Sequence, residues 1–328
     1  MATPPHRVLL TGATGFVGSH AAQAFVRAGF EVRALVRSLE RARPIAELGV
    51  ELVHGSLDDA PALDAACAGV RTVVHLAALT HARSDREYEE ANVSGTRRLL
   101  DSALAAGAQR FVYLSSLAAV GPAEGGRPVE PGDQPRPLTR YGRSKLGGER
   151  VSMEAAAHID VRILRAPAVY GPRDTDLYHF FKLARRGVIP VPTGPARLLQ
   201  MVHVEDLARA LVLAAQAPGA AGVYHIAEAR QYTWEEVGRA VGEAVGRGVR
   251  VARVPGGLIA GLAAVSEAAA GVVGRSSIFN RDKARELLAP GWLCETDAAR
   301  AVLNFEADIP LADGLRTTAQ WYREQGWL

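Results

Sequence analysis

The chain has 328 residues, 48% hydrophobic and 22% charged, enough to bury a sizeable core as one large α/β unit or two modest domains. Its net charge is only +3, and its pI of about 9.0 reflects arginine in place of lysine. The pairs Arg41/Arg43, Arg97/Arg98 and Arg185/Arg186 are scattered, with little aromatic interleaving, which argues against nucleic-acid binding.

In chain order, RVLLTG (7–12), EVRALVR (31–37), VELVHG (50–55), TVVHLAA (72–78), RFVYLSS (110–116) and DVRILRAP (160–167) read as short buried strands, and each but the last is followed by a helical period. That rhythm predicts a Rossmann-type, doubly wound parallel sheet with helices on both faces. From about Tyr170 the rhythm breaks into a helix and a Pro- and Gly-rich loop. HVEDLARALVLAAQAP (203–218) then reads as a helix with acidic residues in its first turn, and GVYHIAE (222–228) as a strand returning to the sheet. A smaller, mostly helical C-terminal region follows. The expected division is 1–169 with about 201–227 for the sheet domain, and about 170–200 with 228–328 for a substrate domain. The most apolar stretch, Gly257 to Gly274, is shorter than a span of about 20 residues and carries Glu267; it is expected to be a buried helix, not a membrane span. Two cysteines, Cys67 and Cys294, and nine histidines without HxxxH spacing provide neither a disulfide framework nor a metal site. MATPPHRVLL lacks the pattern of an export signal, so a reducing cytoplasm is expected.

Gly12, Gly15 and Gly18 follow the first strand and open the next helix. Such a turn lets backbone approach a pyrophosphate while the helix N-terminus supplies free N–H groups. At the end of the second strand, where an acidic residue would meet a ribose 2′-hydroxyl, the chain has Arg37, with Arg33 nearby. Arg37 is either a partner for a 2′-phosphate, which favours NADP over NAD, or a solvent-facing arginine. Asp58 either caps the following helix or accepts from an adenine amino group.

The chain has three lysines, Lys145, Lys182 and Lys283, and one of them closes YGRSK four residues after Tyr141. On a helix the two share a face, and an ammonium there favours the phenolate and lowers its pKa. Thr139 is a candidate cap for that helix. Ser115 and Ser116 end the fifth strand, where open α/β folds bind ligands.

TGATGFVG, HLAA (75–78), NVSGT (92–96), YLSS, YGRSK and RAPAVYGP (165–172), in this order, resemble the extended short-chain dehydrogenase/reductase family, over about the first 230 residues. SSLAAVGP (115–122) is similar to the steroid-dehydrogenase-like branch and selects Ser116, and VRALVRS is similar to the dihydroflavonol-reductase branch. The resemblance implies Tyr141 as general acid-base, Lys145 as ribose ligand and Ser116 as oxygen-binding hydroxyl. It also implies a nicotinamide dinucleotide against Gly12, Thr14, Gly15, Phe16, Val17, Gly18, Arg37, Leu57, Asp58, Leu76, Ala77, Ala78, Asn92, Tyr141, Lys145, Pro167 and Val169.

The expected reaction is hydride transfer between nicotinamide C4 and a carbonyl or secondary alcohol of a small, hydrophobic substrate. A nucleotide-sugar epimerase or dehydratase with bound NAD is the alternative. Relatives of that kind carry an arginine for the sugar diphosphate where GPARLLQMVHVEDLA has Gln200 and Met201, with Arg197 a substitute. A non-catalytic NADP-binding scaffold is a further alternative. Thr80, Leu117, Tyr178 and Gln200 are substrate-pocket candidates. Leu177 to Phe181 and Leu258 to Val273 form either an apolar lid or the core of the smaller domain. His203 and His225 are assigned core or surface roles. A homodimer, through helices in 85–107 and 140–157, is implied by the resemblance.

Overall fold

The computed structural model describes residues 6–272, 277 and 279–328. Six strands, β1 (Arg7–Thr11), β2 (Glu31–Val36), β3 (Glu51–His54), β4 (Thr72–His75), β5 (Arg110–Ser116) and β6 (Asp160–Ala166), and a seventh, Gly222–His225, form one sheet. Its order is β3-β2-β1-β4-β5-β6 followed by the seventh strand, and every neighbouring pair is parallel. The direction of winding reverses between β1 and β4, so their C-terminal ends open a crevice there.

The period-two alternation of the strands feeds two cores. Val8, Leu10, Val74, Val112 and Leu164 face α1 (Phe16–Arg27) and, later in the chain, the helix that binds the same face through Leu207 and Leu211. Leu9, Val73, Phe111, Val161 and Ile163 face the opposite way, onto Leu63, Leu99 and Val151. Between them, α2 (Leu39–Ala46) follows β2 and α3 (Ala60–Cys67) follows β3. α4 (Asp85–Glu89) runs through a single π-helical turn, Glu90–Ser94, into α5 (Gly95–Ala105), and α6 (Arg140–Glu154) precedes β6.

The rest of the chain contributes α7 (Tyr178–Arg185), α8 (Val204–Gln216), α9 (Trp234–Ala244), α10 (Gly256–Val272), α11 (Arg281–Leu288), α12 (Asp297–Leu303) and α13 (Leu311–Glu324). α8 begins with Glu205 and Asp206 in its first turn, where the helix dipole favours them. Around α7, α9 and α13 lies a separate core containing Tyr170, Phe181, Ile189, Val237, Leu315 and Tyr322.

α10 departs from the expectation of a buried helix. Ile259 and Ala263 are buried, but Leu258, Leu262 and Val265 are 53%, 54% and 69% exposed. The helix packs mainly on α11, so only one of its faces is covered. Positions 273 and 274 of the apolar stretch lie outside the described residues.

One buried ion pair holds α6 to the sheet. Arg165 of β6 donates from Nε and Nη2 to Glu149 at 2.9 and 2.7 Å, and the Ser115 hydroxyl donates to the same carboxylate at 2.5 Å. Removing one partner strands the other charge without water. Arg165→Met is expected to cost on the order of 3–5 kcal/mol in urea unfolding, and Arg165→Met with Glu149→Leu to recover most of it.

Candidate active site

Gly12 leaves β1 with φ of +73°, and a Cβ there would lie 2.7 Å from the Ala77 nitrogen. At Gly18 a Cβ would lie 2.0 Å from the Gly12 oxygen, so the first turn of α1 packs directly on the turn before it. Gly15 caps α1 with no side-chain hydrogen bond, which leaves the helix N–H groups aimed out of the turn. Leu76 and Ala77 run beside it, held by Thr11 through its carbonyl and hydroxyl oxygens. Thr11 also bonds His75 Nδ1 at 2.6 Å, and burial pushes that imidazole down to about 3, so it stays neutral. These residues fit a dinucleotide pyrophosphate: a cradle that a side chain would fill, beneath an uncapped helix N-terminus. Thr14, Phe16 and Val17 line its rim and are partly exposed, and Ala78 continues the β4 wall.

Arg37 and Asp58 stand on the surface past the ends of β2 and β3, within electrostatic reach of each other. Arg33 is spoken for: it is buried, donates to the carbonyls of Ala65, Ala66 and Ala68, and pairs with Glu51. The cap of α3 is Asp59, whose carboxylate accepts from the Ala62 N–H, so the capping role considered for Asp58 belongs to its neighbour. Asp58 instead accepts from Ser56, which holds its carboxyl below the usual range. Leu57 packs on Gly95, and its carbonyl accepts from Arg98.

Thr139 caps α6 through the Gly142 N–H and starts the helix one residue before Tyr141. The Ser115 hydroxyl is turned into the Glu149 pair, whereas Ser116 accepts from the Ala118 N–H and bonds the Tyr141 phenol. Ser116 and Tyr141 therefore meet at the C-terminal edge of β5, and Lys145 follows one turn later on α6, over the Tyr113 ring. Asn92 sits in the π-helical turn, accepts from Leu79 N at 2.7 Å and donates to Leu79 O and Ser144. It ties the loop after β4 to α6. Pro167 and Val169 follow the end of β6, both partly buried.

The electrostatics reverse one expectation. Burial holds the Tyr141 phenol above its ordinary value; Glu286 and Tyr88 add to this, and the Ser116 bond opposes it. The Lys145 ammonium lies 4.2 Å from the centre of the Tyr113 ring, and burial pushes it down to about 7 against the pull of Glu149. Burial and the Glu286 carboxylate both disfavour the phenolate, so Tyr141 holds its proton across the neutral range.

On the substrate side, the structure assigns several expected pocket residues to internal work. Gln200 is buried, donates to the carbonyl of Glu228 and accepts from Cys294 N. Tyr178 joins an aromatic cluster with Tyr322 and Trp327 and donates to the Trp327 carbonyl. Arg197 donates to the carbonyls of Leu288, Thr193 and Pro195. Thr80 accepts from the Tyr88 hydroxyl through its backbone, and Leu117 is buried in the turn after Ser116. Residues not anticipated surround Tyr141 instead. His81 lies 3.6 Å from Asp176, and Lys283 lies 3.2 Å from Glu286. Glu286 and Asp176 both act on the phenol, and both attract Lys283. Arg140, beside Tyr141, donates to Asp282 from its N–H and Nε, both at 3.0 Å, and reaches Glu267 at 3.3 Å. α10 and α11 thereby form a roof at the start of α6. The rarity of lysine, which singled out Lys145, also pointed at Lys283.

A parallel sheet with a glycine turn at its switch of winding and Ser116 beside Tyr141 at its C-terminal edge is the architecture of the extended short-chain dehydrogenase/reductase class. The sequence profile of the NAD dependent epimerase/dehydratase family matches residues 8–227, and the chain belongs to that family. It is 35% identical to the ceramide reductase of Caulobacter vibrioides, over 98% of this chain and 96% of that protein. It is 32% identical to a 3 beta-hydroxysteroid dehydrogenase/Delta 5-->4-isomerase of Mycobacterium tuberculosis, over 74% of this chain and 70% of that one. Among solved structures it resembles MoeE5 in complex with UDP-glucuronic acid and NAD, with a TM-score of 0.77, 28% identity, and coverage of 97% of this chain and 99% of that one. The enzyme is a nicotinamide-dependent dehydrogenase/reductase.

Gly18→Ala is expected to abolish dinucleotide binding in calorimetry, because the new methyl group meets backbone and not a movable side chain. Burying Lys145 costs stability wherever the unfolded chain would protonate it. The cost is full below about pH 7 and fades towards the lysine's ordinary value of 10.5. Lys145→Met is therefore expected to stabilise the ligand-free protein near neutral pH by roughly 2–4 kcal/mol, with the gain shrinking as pH rises to 10. Thermal melts across that range check the sign.

Proposed function

We propose that the enzyme reduces a ketone of an amphipathic, long-chain lipid with NADPH, Tyr141 delivering the proton. The observation that carries this reading is a Tyr141 that meets Ser116, keeps its proton, and faces a charged rim, while Arg197 and Gln200 at the expected diphosphate position are committed to backbone carbonyls. Ser116 and Tyr141 would hydrogen-bond the carbonyl oxygen and stabilise the alkoxide as it develops. A bound nicotinamide supplies the hydride. Lys145, deep in α6, would hold the ribose and orient the phenol, and Gly12, Gly15 and Gly18 would hold the pyrophosphate. Arg37 would pair with a 2′-phosphate, which supports NADP. His81, Asp176, Lys283 and Glu286 suit polar groups near the reacting carbon better than a bare hydrocarbon. The similarity to a ceramide reductase supports a long-chain amino-alcohol lipid, whose secondary alcohol would be the product.

The division into 1–169 with 201–227 and 170–200 with 228–328 would separate cofactor from substrate. The helices α5 and α6 would pair two copies as a homodimer. Both cysteines are buried and free, which suits a reducing cytoplasm.

The second reading, turnover of a nucleotide sugar on bound NAD, is favoured by the likeness to MoeE5 with UDP-glucuronic acid. Arg197 and Gln200, both committed to backbone, weigh against it. The presence of both Tyr141 and Lys145 weighs against a non-catalytic scaffold.

Tyr141→Phe is expected to lower kcat on a keto-sphingolipid by about 10²–10⁴-fold with NADP binding intact; near-normal turnover would sink the assignment. Arg37→Glu is expected to raise the Kd for NADP at least tenfold while leaving NAD within about threefold. Calorimetric titration with both cofactors, and with UDP-glucose beside them, separates the readings.

A further inference from the structure

A helix on a protein surface ordinarily turns its polar residues to water and its apolar ones to the core. α10 keeps apolar residues on both sides. Among its residues 256–271 every exposed position is Gly, Ala, Leu or Val, and Leu258, Leu262 and Val265 recur at i, i+4 and i+7 to form one stripe. Its polar side chains point inward and are consumed there. Ser266 bonds Ser277, and Glu267 pairs with Arg140 and accepts from the Arg281 N–H. Solvating the outer face is therefore an uncompensated cost, of the kind that marks a contact surface.

Charge selects the occupant. From Arg247 to Leu288, a stretch holding the strand before α10, α10 itself and α11, the chain has seven Arg or Lys against three Asp or Glu. That net of +4 exceeds the +3 of the whole chain, so the remainder is slightly acidic. Arg250 and Arg253 on the preceding strand, and Arg281 and Arg285 on α11, are exposed on either side of the helix in the chain; Arg253 also pairs with Glu235 and Arg285 with Asp282 at the surface. An apolar stripe flanked by arginines matches the interface of a bilayer bearing anionic lipid. A helix of 17 residues is about 25 Å long, and among the described residues no helix is long and apolar enough to cross a membrane. α10 would thus lie on a bilayer, not through it.

We infer that the outer face of α10 docks the enzyme onto an anionic lipid bilayer. The same helix roofs the site through Glu267 and Arg140, next to Tyr141, so docking would place the mouth of the site at the lipid surface. The inference does not need the reductase reading: vesicle binding can hold while turnover of ketones fails, and the reverse.

The test is flotation of the full chain with vesicles of phosphatidylcholine alone, or of phosphatidylcholine with phosphatidylglycerol, and light scattering of the same samples without lipid. The expected result is at least tenfold tighter partition onto the anionic vesicles. Leu262→Glu/Val265→Glu is expected to lose it at least tenfold while melting temperature and NADP binding stay unchanged, and the milder Leu262→Ser/Val265→Ser to weaken it in the same direction. Absence of vesicle binding, equal partition onto both vesicle types, or unchanged binding by the variants would each overturn the inference. A two-chain mass that the glutamate variant halves, with no vesicle binding, would assign the face to a second copy instead.

Discussion

The arrangement of the site depends on the buried carboxylate of Glu149. It takes two hydrogen bonds from Arg165 and one from Ser115, joining the middle of α6 to β6 and to the end of β5. Tyr141 and Lys145 lie two turns and one turn before Glu149 on the same helix, so the clamp sets their height above the sheet. It also decides which serine is available. Ser115 is absorbed by the carboxylate, and strand alternation leaves Ser116 on the side of the phenol. A buried ion pair is seldom a source of net stability. Here it serves register, fixing α6, with Tyr141 and Lys145, against the end of β5, with Ser116.

Around that clamp, burial sets the protonation of the pair. Tyr141 is pushed up and Lys145 down because both leave water, and the carboxylates at the rim push Tyr141 further the same way. A phenol that retains its proton is the form a reduction consumes. The cost is carried by the fold: a lysine held near 7 opposes folding at neutral pH, and a site with this property exchanges stability for function. Asp174 extends the theme. It is buried, with its carboxyl raised to about 7, and accepts from the N–H groups of Asp176 and Leu177, shaping the loop that presents Asp176.

The sheet and the phosphate cradle were legible because their signals are local. Val and Leu runs of strand length, glycines at a strand end and a capped helix opening each report their own structure. Family likeness then ordered them. Tertiary choices were not legible. Whether Asp58 or Asp59 caps α3 depends on the exact turn, and Gln200 and Arg197 find partners from segments about 30 to 90 residues away. α10 read as buried because its composition is apolar. Composition does not say how many neighbours will pack on a helix, and this one has few. Lys283 carried a signal in its rarity, but its partners Asp176 and Glu286 come from separate elements that only the fold brings together.

Net hydride transfer separates a reductase from an enzyme that reoxidises its own cofactor within one turnover. The most direct measurement is incubation of the enzyme with NADPH deuterated at C4 and a keto-sphingolipid, with mass spectrometry of the lipid and quantitation of NADP. A secondary alcohol carrying the label, formed in a one-to-one ratio with NADP, is the predicted result. Turnover of a nucleotide sugar with no net consumption of NADPH, and an unlabelled lipid, would contradict the account.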